Sequence, residues 1–277
     1  MTIWRSSCLI LLALLLVAPD AWADRTEEET YEETVDLGAG GTVEVDTTNG
    51  SIRVETWDRD QVQVVARKKA RARSASEAQE MLDAIEIKIR ESGGTVRIEA
   101  DLPRSRSGWF GGGTSANVAF ELTIPADAEL HASSNNGAID VRDLGAPARL
   151  ETQNGSIEAD GVNGELEAFS NNGRIEADDV RGSVQAETTN GAIKVDISAD
   201  ALNQDVDLRT SNGSVELRLA SSVAASIYAR TRNGSVSSDF PGGVQDERRR
   251  SLELELNGGG PQIELKSTNG SIRVRER

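Results

Sequence analysis

Residues 131–195 read HASSNNGAIDVRDLGAPARLETQNGSIEADGVNGELEAFSNNGRIEADDVRGSVQAETTNGAIKV, and within them Asn-Gly ends at Gly137, Gly155, Gly173 and Gly191, every 18 residues. A fixed period of this size marks a repeat architecture and is read before any local detail. Aligned on the glycine, the copies place Ala132, Leu150, Ala168 and Ala186 in one column and Ser134, Thr152, Ser170 and Thr188 in the next. Asn136, Asn154, Asn172 and Asn190 form a third column, Ile139, Ile157, Ile175 and Ile193 a fourth, and Val141, Ala159, Ala177 and Val195 a fifth. Small or apolar residues alternate with Glu, Gln, Arg and Lys, the period-2 pattern of a half-buried strand. A weaker turn near Gly145, Gly164 and Gly182 falls half a period later, so each copy is two short strands joined by two turns.

Asn-Gly between alternating strands is also the strongest short signal for an antiparallel hairpin. A meander of this length would expose one whole apolar face and needs a second layer that the sequence does not supply. In a solenoid each column stacks on itself at about 4.8 Å, so identical Asn and Ile residues form ladders and the apolar columns close inward. The column identity favours an all-β solenoid, single-stranded and β-helix-like, with 18-residue coils.

Outward from this stretch, further copies end at Gly50, Gly213, Gly234 and Gly270, the last taken as a continuation two periods after Gly234. Ser74-Ala75-Ser76-Glu77 is a capping box, and Ala78, Met81, Leu82 and Ile85 follow at helical spacing. One short helix is therefore expected near 74–85, running into a hairpin through Gly93-Gly94 and capping the first coil's open edge. The expected organisation is a signal peptide over 1–23, an N-terminal β region over 24–126 and a β-repeat solenoid over 127–277.

The signal assignment rests on a basic start at Met1 to Arg5, an apolar run from Cys8 to Ala18, and the small-x-small pattern Ala21-Trp22-Ala23, which predicts cleavage before Asp24. The run is shorter than the ~20 residues a spanning helix needs, so the mature chain is expected to have no transmembrane segment. Cys8, the one cysteine, stands at the beginning of the apolar run and not after it, which argues against lipidation and leaves the mature chain no disulfide. With 4% aromatic and 37% hydrophobic residues, the core must be built of Ile, Val, Leu and Ala in thin layers. A formal charge of −16 argues against nucleic acid or anionic lipid as a partner.

A nucleophilic triad needs a base, and the only histidine, His131, falls at an outward position between Leu130 and Ala132. Cys/His metal sites are excluded by composition. No catalytic residue and no cofactor is expected. Asp160, Asp178 and Asp196 share a column beside Glu158 and Glu176 and are the candidate metal ligands, set against a charged stripe screened by Arg142 and Lys194. Gly137, Gly155, Gly173 and Gly191 with their asparagines are read as structural turns, the glycines supplying positive φ if the turn needs it. Arg67 to Arg73 is a basic run, and Arg104, Arg106, Trp109 and Phe110 lie on a glycine-rich stretch, the candidate partner contacts. Against that stands pairing of the basic residues with the acidic segment Glu27 to Glu33.

The Val-Ala-Arg-Lys at Val65 to Lys68, Glu77-Ala78, the Leu-Thr-Ile-Pro at Leu122 to Pro125 and the recurring Asn-Gly-Ser/Ala-Ile resemble a bacterial domain-of-unknown-function family labelled "putative adhesin". The resemblance spans roughly Val35 to Arg277 and implies a C-terminal β-strand repeat behind a shorter lead that contains a helix; it implies no catalytic residues. The expected function is a non-enzymatic, exported envelope module, periplasmic, outer-envelope or secreted, that binds a protein or glycan partner. A structural or envelope-stress scaffold is the alternative, and a polysaccharide-active β-helix enzyme the third reading.

Overall fold

In the computed structural model, which describes residues 24–102, 114–197 and 204–277, the Asn-Gly copies pair side by side and in parallel, which decides for the solenoid over the meander. The chain begins with β1 (Arg25–Asp36), β2 (Thr42–Asn49), β3 (Ile52–Trp57) and β4 (Gln61–Ala72), then α1 (Ala75–Asp83), β5 (Glu86–Ser92), β6 (Thr95–Asp101) and β7 (Ser115–Pro125). The regular coils are β8 (Glu129–Asn136) with β9 (Ile139–Arg142), β10 (Ala148–Thr152) with β11 (Ile157–Asp160), and β12 (Leu166–Ser170) with β13 (Ile175–Asp178). They continue as β14 (Val184–Asn190) with β15 (Ile193–Ile197) and β16 (Val206–Asn212) with β17 (Val215–Leu219). The chain closes with β18 (Ala225–Asn233), β19 (Val236–Ser238), β20 (Val244–Gln245), β21 (Ser251–Leu256), β22 (Gln262–Asn269) and β23 (Ile272–Glu276).

Each coil gives one strand to each of two facing sheets. Sheet A runs β1-β4-β7-β3-β9-β11-β13-β15-β17-β23-β19, and sheet B runs β20-β21-β18-β22-β16-β14-β12-β10-β8-β2-β6-β5. Between them lies one continuous core reaching from Val35 to Val274. The Ile139, Ile157, Ile175 and Ile193 column is buried throughout, at about 1.5–3 kcal/mol per side chain removed from water. On sheet B, Leu130 and Ala132 stack on Ala148 and Leu150, and these on Leu166 and Ala168. Large over small keeps the volume per coil level without voids.

The spatial order departs from the sequence order at both ends. The coil of β2 and β3 lies between β6–β7 and β8–β9. The last coil, β22 with β23, does not follow β18 and β19; it is inserted between them and β16–β17. The expectation that Gly270 continues the stack beyond Gly234 is corrected here. Inward side chains at Ile227, Ala229 and Thr231 match Ile263, Leu265 and Ser267 as well as they would match β16, so alternation alone does not order the coils.

Helix α1 opens on Ser74, whose hydroxyl accepts from the Glu77 amide at 3.2 Å, and packs against β1 and β4. Ala66, Ala70 and Ala72 give β4 a small-residue inner face, and Ala78 and Leu82 are buried on the helix side. The outermost strands at this end are β1 and β5. The β5–β6 hairpin turns at Gly93-Gly94, whose φ of +61° and +82° only glycine adopts freely.

Candidate functional site

The Asn-Gly corner is the most ordered feature of the surface. The asparagines form one chain of amide bonds in the spatial order Asn49, Asn136, Asn154, Asn172, Asn190, Asn212, Asn269, Asn233. Each Nδ2 donates to the Oδ1 of the coil before it at 2.8–2.9 Å. Beneath them, Ser134, Thr152, Ser170, Thr188, Thr210, Ser267 and Thr231 each donate a hydroxyl to the corner glycine carbonyl of the preceding coil. Gly50 has a φ of +141°, but Gly137, Gly155, Gly173 and Gly191 are not at positive φ, which corrects the conformational reading of these four. Their need is contact: a Cβ on Gly173 would stand 1.7 Å from the Gly155 carbonyl oxygen. The left-handed backbone lies instead at Asp143, Gly161 and Asp179, where the sheet A strand turns away.

On the outer face of sheet A, Asp160, Asp178 and Asp196 do stack in register, with Arg142 at one end and Arg218 at the other. In the neighbouring column Lys194 pairs with Glu176 and lies 3.8 Å from Asp178. Arg277 Nε stands 3.2 Å from Asp196 Oδ1, though not in hydrogen-bond alignment. Burial pushes the Asp178 carboxyl up; Lys194 opposes this, while the charges of Glu176, Asp196 and Asp160 add to it. Among the described residues no group of three or more His, Cys, Asp and Glu side chains is placed to hold a metal ion. The stripe is arranged as a screened charged face.

The basic run lies in β4, antiparallel to the acidic β1. Lys68 pairs with Glu29 at 2.9 Å, Lys69 with Glu28 at 2.6 Å, Arg71 with Asp24 at 2.8 Å and Arg67 with Glu121 at 2.9 Å. These residues neutralise the edge of the sheet. Arg104, Arg106, Trp109 and Phe110 lie outside the described residues. In β2 the Thr47 hydroxyl, level with Ser134 in the adjoining strand, is buried with no hydrogen-bond partner among the described residues.

Sheet B offers the other outer face. His131 is half-buried there, 3.0 Å from Glu129. A shallow groove crosses β6, β2, β8 and β10, and a second crosses β8, β10, β12 and β14; the two share Ser133 and Glu151. In the first, burial and then the nearby charge of Glu99 push the Asp46 carboxyl up. In the second, the outward column reads Asp46, Ser133, Glu151, Phe169, Glu187, Arg209. Phe169 is the one apolar member, with the Arg149 guanidinium 5.1 Å from its ring centre. Alongside runs a row of exposed amides, Asn135, Gln153 and Asn171, held at coil spacing by backbone bonds from Asn154, Asn172 and Asn190. None of these three side chains hydrogen-bonds to protein among the described residues. The sequence reading passed over Phe169; the signal was an aromatic at an outward position of a strand whose column-mates are polar.

These features define a two-sheeted parallel β-solenoid with a self-bonded asparagine corner and one grooved polar face. Residues 145–275 match the model of the Toastrack family, DUF4097, so the family resemblance carried by the recurring Asn-Gly-Ser/Ala-Ile is borne out over the C-terminal repeat. Among solved structures, a putative adhesin from Bacteroides fragilis is similar at 10% identity over 90% of this chain and 97% of its own, with a TM-score of 0.41. A putative cell adhesion protein from Clostridium sporogenes is similar at 13% identity over 90% and 100%, with a TM-score of 0.38. A putative lipid binding protein from Parabacteroides distasonis follows at 13% identity over 90% and 96%, with a TM-score of 0.35. No curated protein matches the chain. Among the described residues no helix is long and apolar enough to cross a membrane.

Proposed function

We propose that this protein is an exported, non-enzymatic binding module of the bacterial cell envelope, and that it engages its partner through the outer face of sheet B. The observation that carries the reading is the groove beside Phe169, where exposed amides and an outward aromatic ring stand together on a rigid stack of strands. Loops position contacts less precisely than strands do, and here Ser133, Glu151, Phe169 and Glu187 are set by strand register, while Gln153 and Asn171 follow directly on the ends of β10 and β12. The asparagine corner has its amides engaged within the chain, and beside the acidic stripe Lys194 pairs with Glu176 and approaches Asp178, which supports a structural role for both. Export follows from the Met1 to Ala23 pattern, with a mature chain beginning at Asp24.

Co-sedimentation with isolated envelopes tests this. The mature parent is expected to pellet with them, and a Phe169→Ala/Gln153→Ala variant to remain in the supernatant while melting like the parent. A parent that does not pellet, or a variant that pellets equally, rejects the assignment of the face. Intact-mass measurement of the secreted or periplasmic protein checks the start at Asp24.

A further inference from the structure

The chemistry of the groove on sheet B identifies its ligand class, on the reading that this face binds a partner. Two amide columns run side by side along the solenoid. In the first, Asn136 to Asn233, each amide is joined to the next by a hydrogen bond and has little left to offer. In the second, Asn135, Gln153 and Asn171 are exposed, and their side-chain donors and acceptors are unspent on protein among the described residues. One such amide per coil makes a row with the strand spacing of about 4.8 Å, suited to a ligand that itself repeats. Each side-chain amide offers an acceptor and two donors without net charge.

Across the groove stands Phe169, half-buried and facing outward, its ring backed by Arg149, with Glu151 and Glu187 on the adjacent strands. An aromatic face beside neutral amides and carboxylates complements a pyranose ring, which is apolar on its C–H face and hydroxylated around its rim. The alternatives fit less well. A protein partner needs a cluster of buried apolar anchors, and Phe169 stands alone in its column. Nucleic acid, anionic lipid and acidic polysaccharide meet a chain of charge −16 and the two glutamates of the groove itself.

The geometry points to an uncharged glycan strand lying in the groove between Phe169 and the Asn135–Gln153–Asn171 row, along the solenoid axis. Titration calorimetry of the full mature chain tests this with three probes: the β-1,4 hexamer of N-acetylglucosamine, the β-1,4 hexamer of glucose and the hexamer of galacturonate. At least one uncharged hexamer is expected to bind, and galacturonate to bind at least tenfold more weakly. Phe169→Ala should weaken binding at least tenfold and Gln153→Ala at least threefold. Asp160→Asn, on the opposite sheet, should leave it unchanged. Should Phe169→Ala fail to fold, Gln153→Ala carries the test. Failure of both uncharged hexamers to bind, a folded Phe169→Ala or Gln153→Ala that binds like the parent, or preference for galacturonate overturns the inference. If no hexamer binds but envelope co-sedimentation persists and is lost in Phe169→Ala, the glycan is wrong and the binding face stands; if the parent does not co-sediment either, both fall.

Discussion

At the level of single residues, the corner glycines and the turn residues opposite them obey different constraints. Gly173 is needed because a Cβ would meet the Gly155 carbonyl at 1.7 Å, whereas Gly161 is needed, if at all, for its φ of +70°. Asp143 and Asp179 hold the equivalent conformation at φ 55° and 52° without being glycine. Gly173→Ala is therefore expected to destabilise by about 1–3 kcal/mol through overpacking. Gly161→Asn should stay within about 0.5 kcal/mol, since asparagine tolerates the left-handed region. Urea denaturation of the two variants measures the difference, and equal midpoints would mean that backbone conformation, not contact, sets the corner. The buried hydroxyls give a second contrast. Thr188→Val removes the bond to the Gly173 carbonyl and should cost about 1 kcal/mol, while Thr47→Val removes a buried hydroxyl that has no partner among the described residues and should be neutral or stabilising. The columns themselves were legible in the sequence because each repeats every 18 residues. The cause of the glycine requirement was not, because a contact between neighbouring coils leaves the same letter as a positive φ.

Within the strands, alternation fixed which side chains point inward, and the described burial follows it from Ile139 to Val195. What alternation could not tell is which outward charges meet. Glu176 and Asp178 lie on the same strand and face opposite consequences. The hydrogen bond from Lys194 holds the Glu176 carboxyl below its usual range, so its pairing stabilises the fold above the unfolded carboxyl pKa of about 4.3 and is lost as pH falls through the folded value. Burial raises the Asp178 carboxyl, so its protonated form favours the fold below the unfolded value of about 3.9, and that advantage is lost as pH rises through the folded value. At pH 7 Glu176→Gln should therefore lower the melting temperature, with a loss of stability of ~0.2–1 kcal/mol for this partly buried pair, and Asp178→Asn should raise it. Both differences should shrink in melts at progressively lower pH. An Asp178→Asn variant that melts below the parent at pH 7 would mean that its carboxylate is held by a partner, such as a cation.

For the whole molecule, the period implied a linear stack, and in a linear stack each coil couples to its neighbours alone. The order of the coils is where the sequence was silent. Insertion of β22–β23 between β16–β17 and β18–β19 means that the coil of Gly234 cannot dock until the chain beyond it has been laid down. Sequence order would make Gly270, near the C-terminus, the less costly of the two glycines to change. Spatial order makes the opposite demand. A Cβ on Gly270 would stand 1.8 Å from the Gly213 carbonyl and wedge apart the last interior junction, whereas a Cβ on Gly234 would stand 2.1 Å from the Gly270 carbonyl and disturb the terminal coil. In hydrogen exchange, Gly234→Ala should expose the amides of β18 and β19 while β22 and β23 stay protected. Gly270→Ala should expose all four strands and leave β10 to β13 as slow as in the parent. If Gly270→Ala exposed β22 and β23 alone, β18 and β19 would have to dock on β16 and β17 directly, and the inserted coil would not be the keystone of that end.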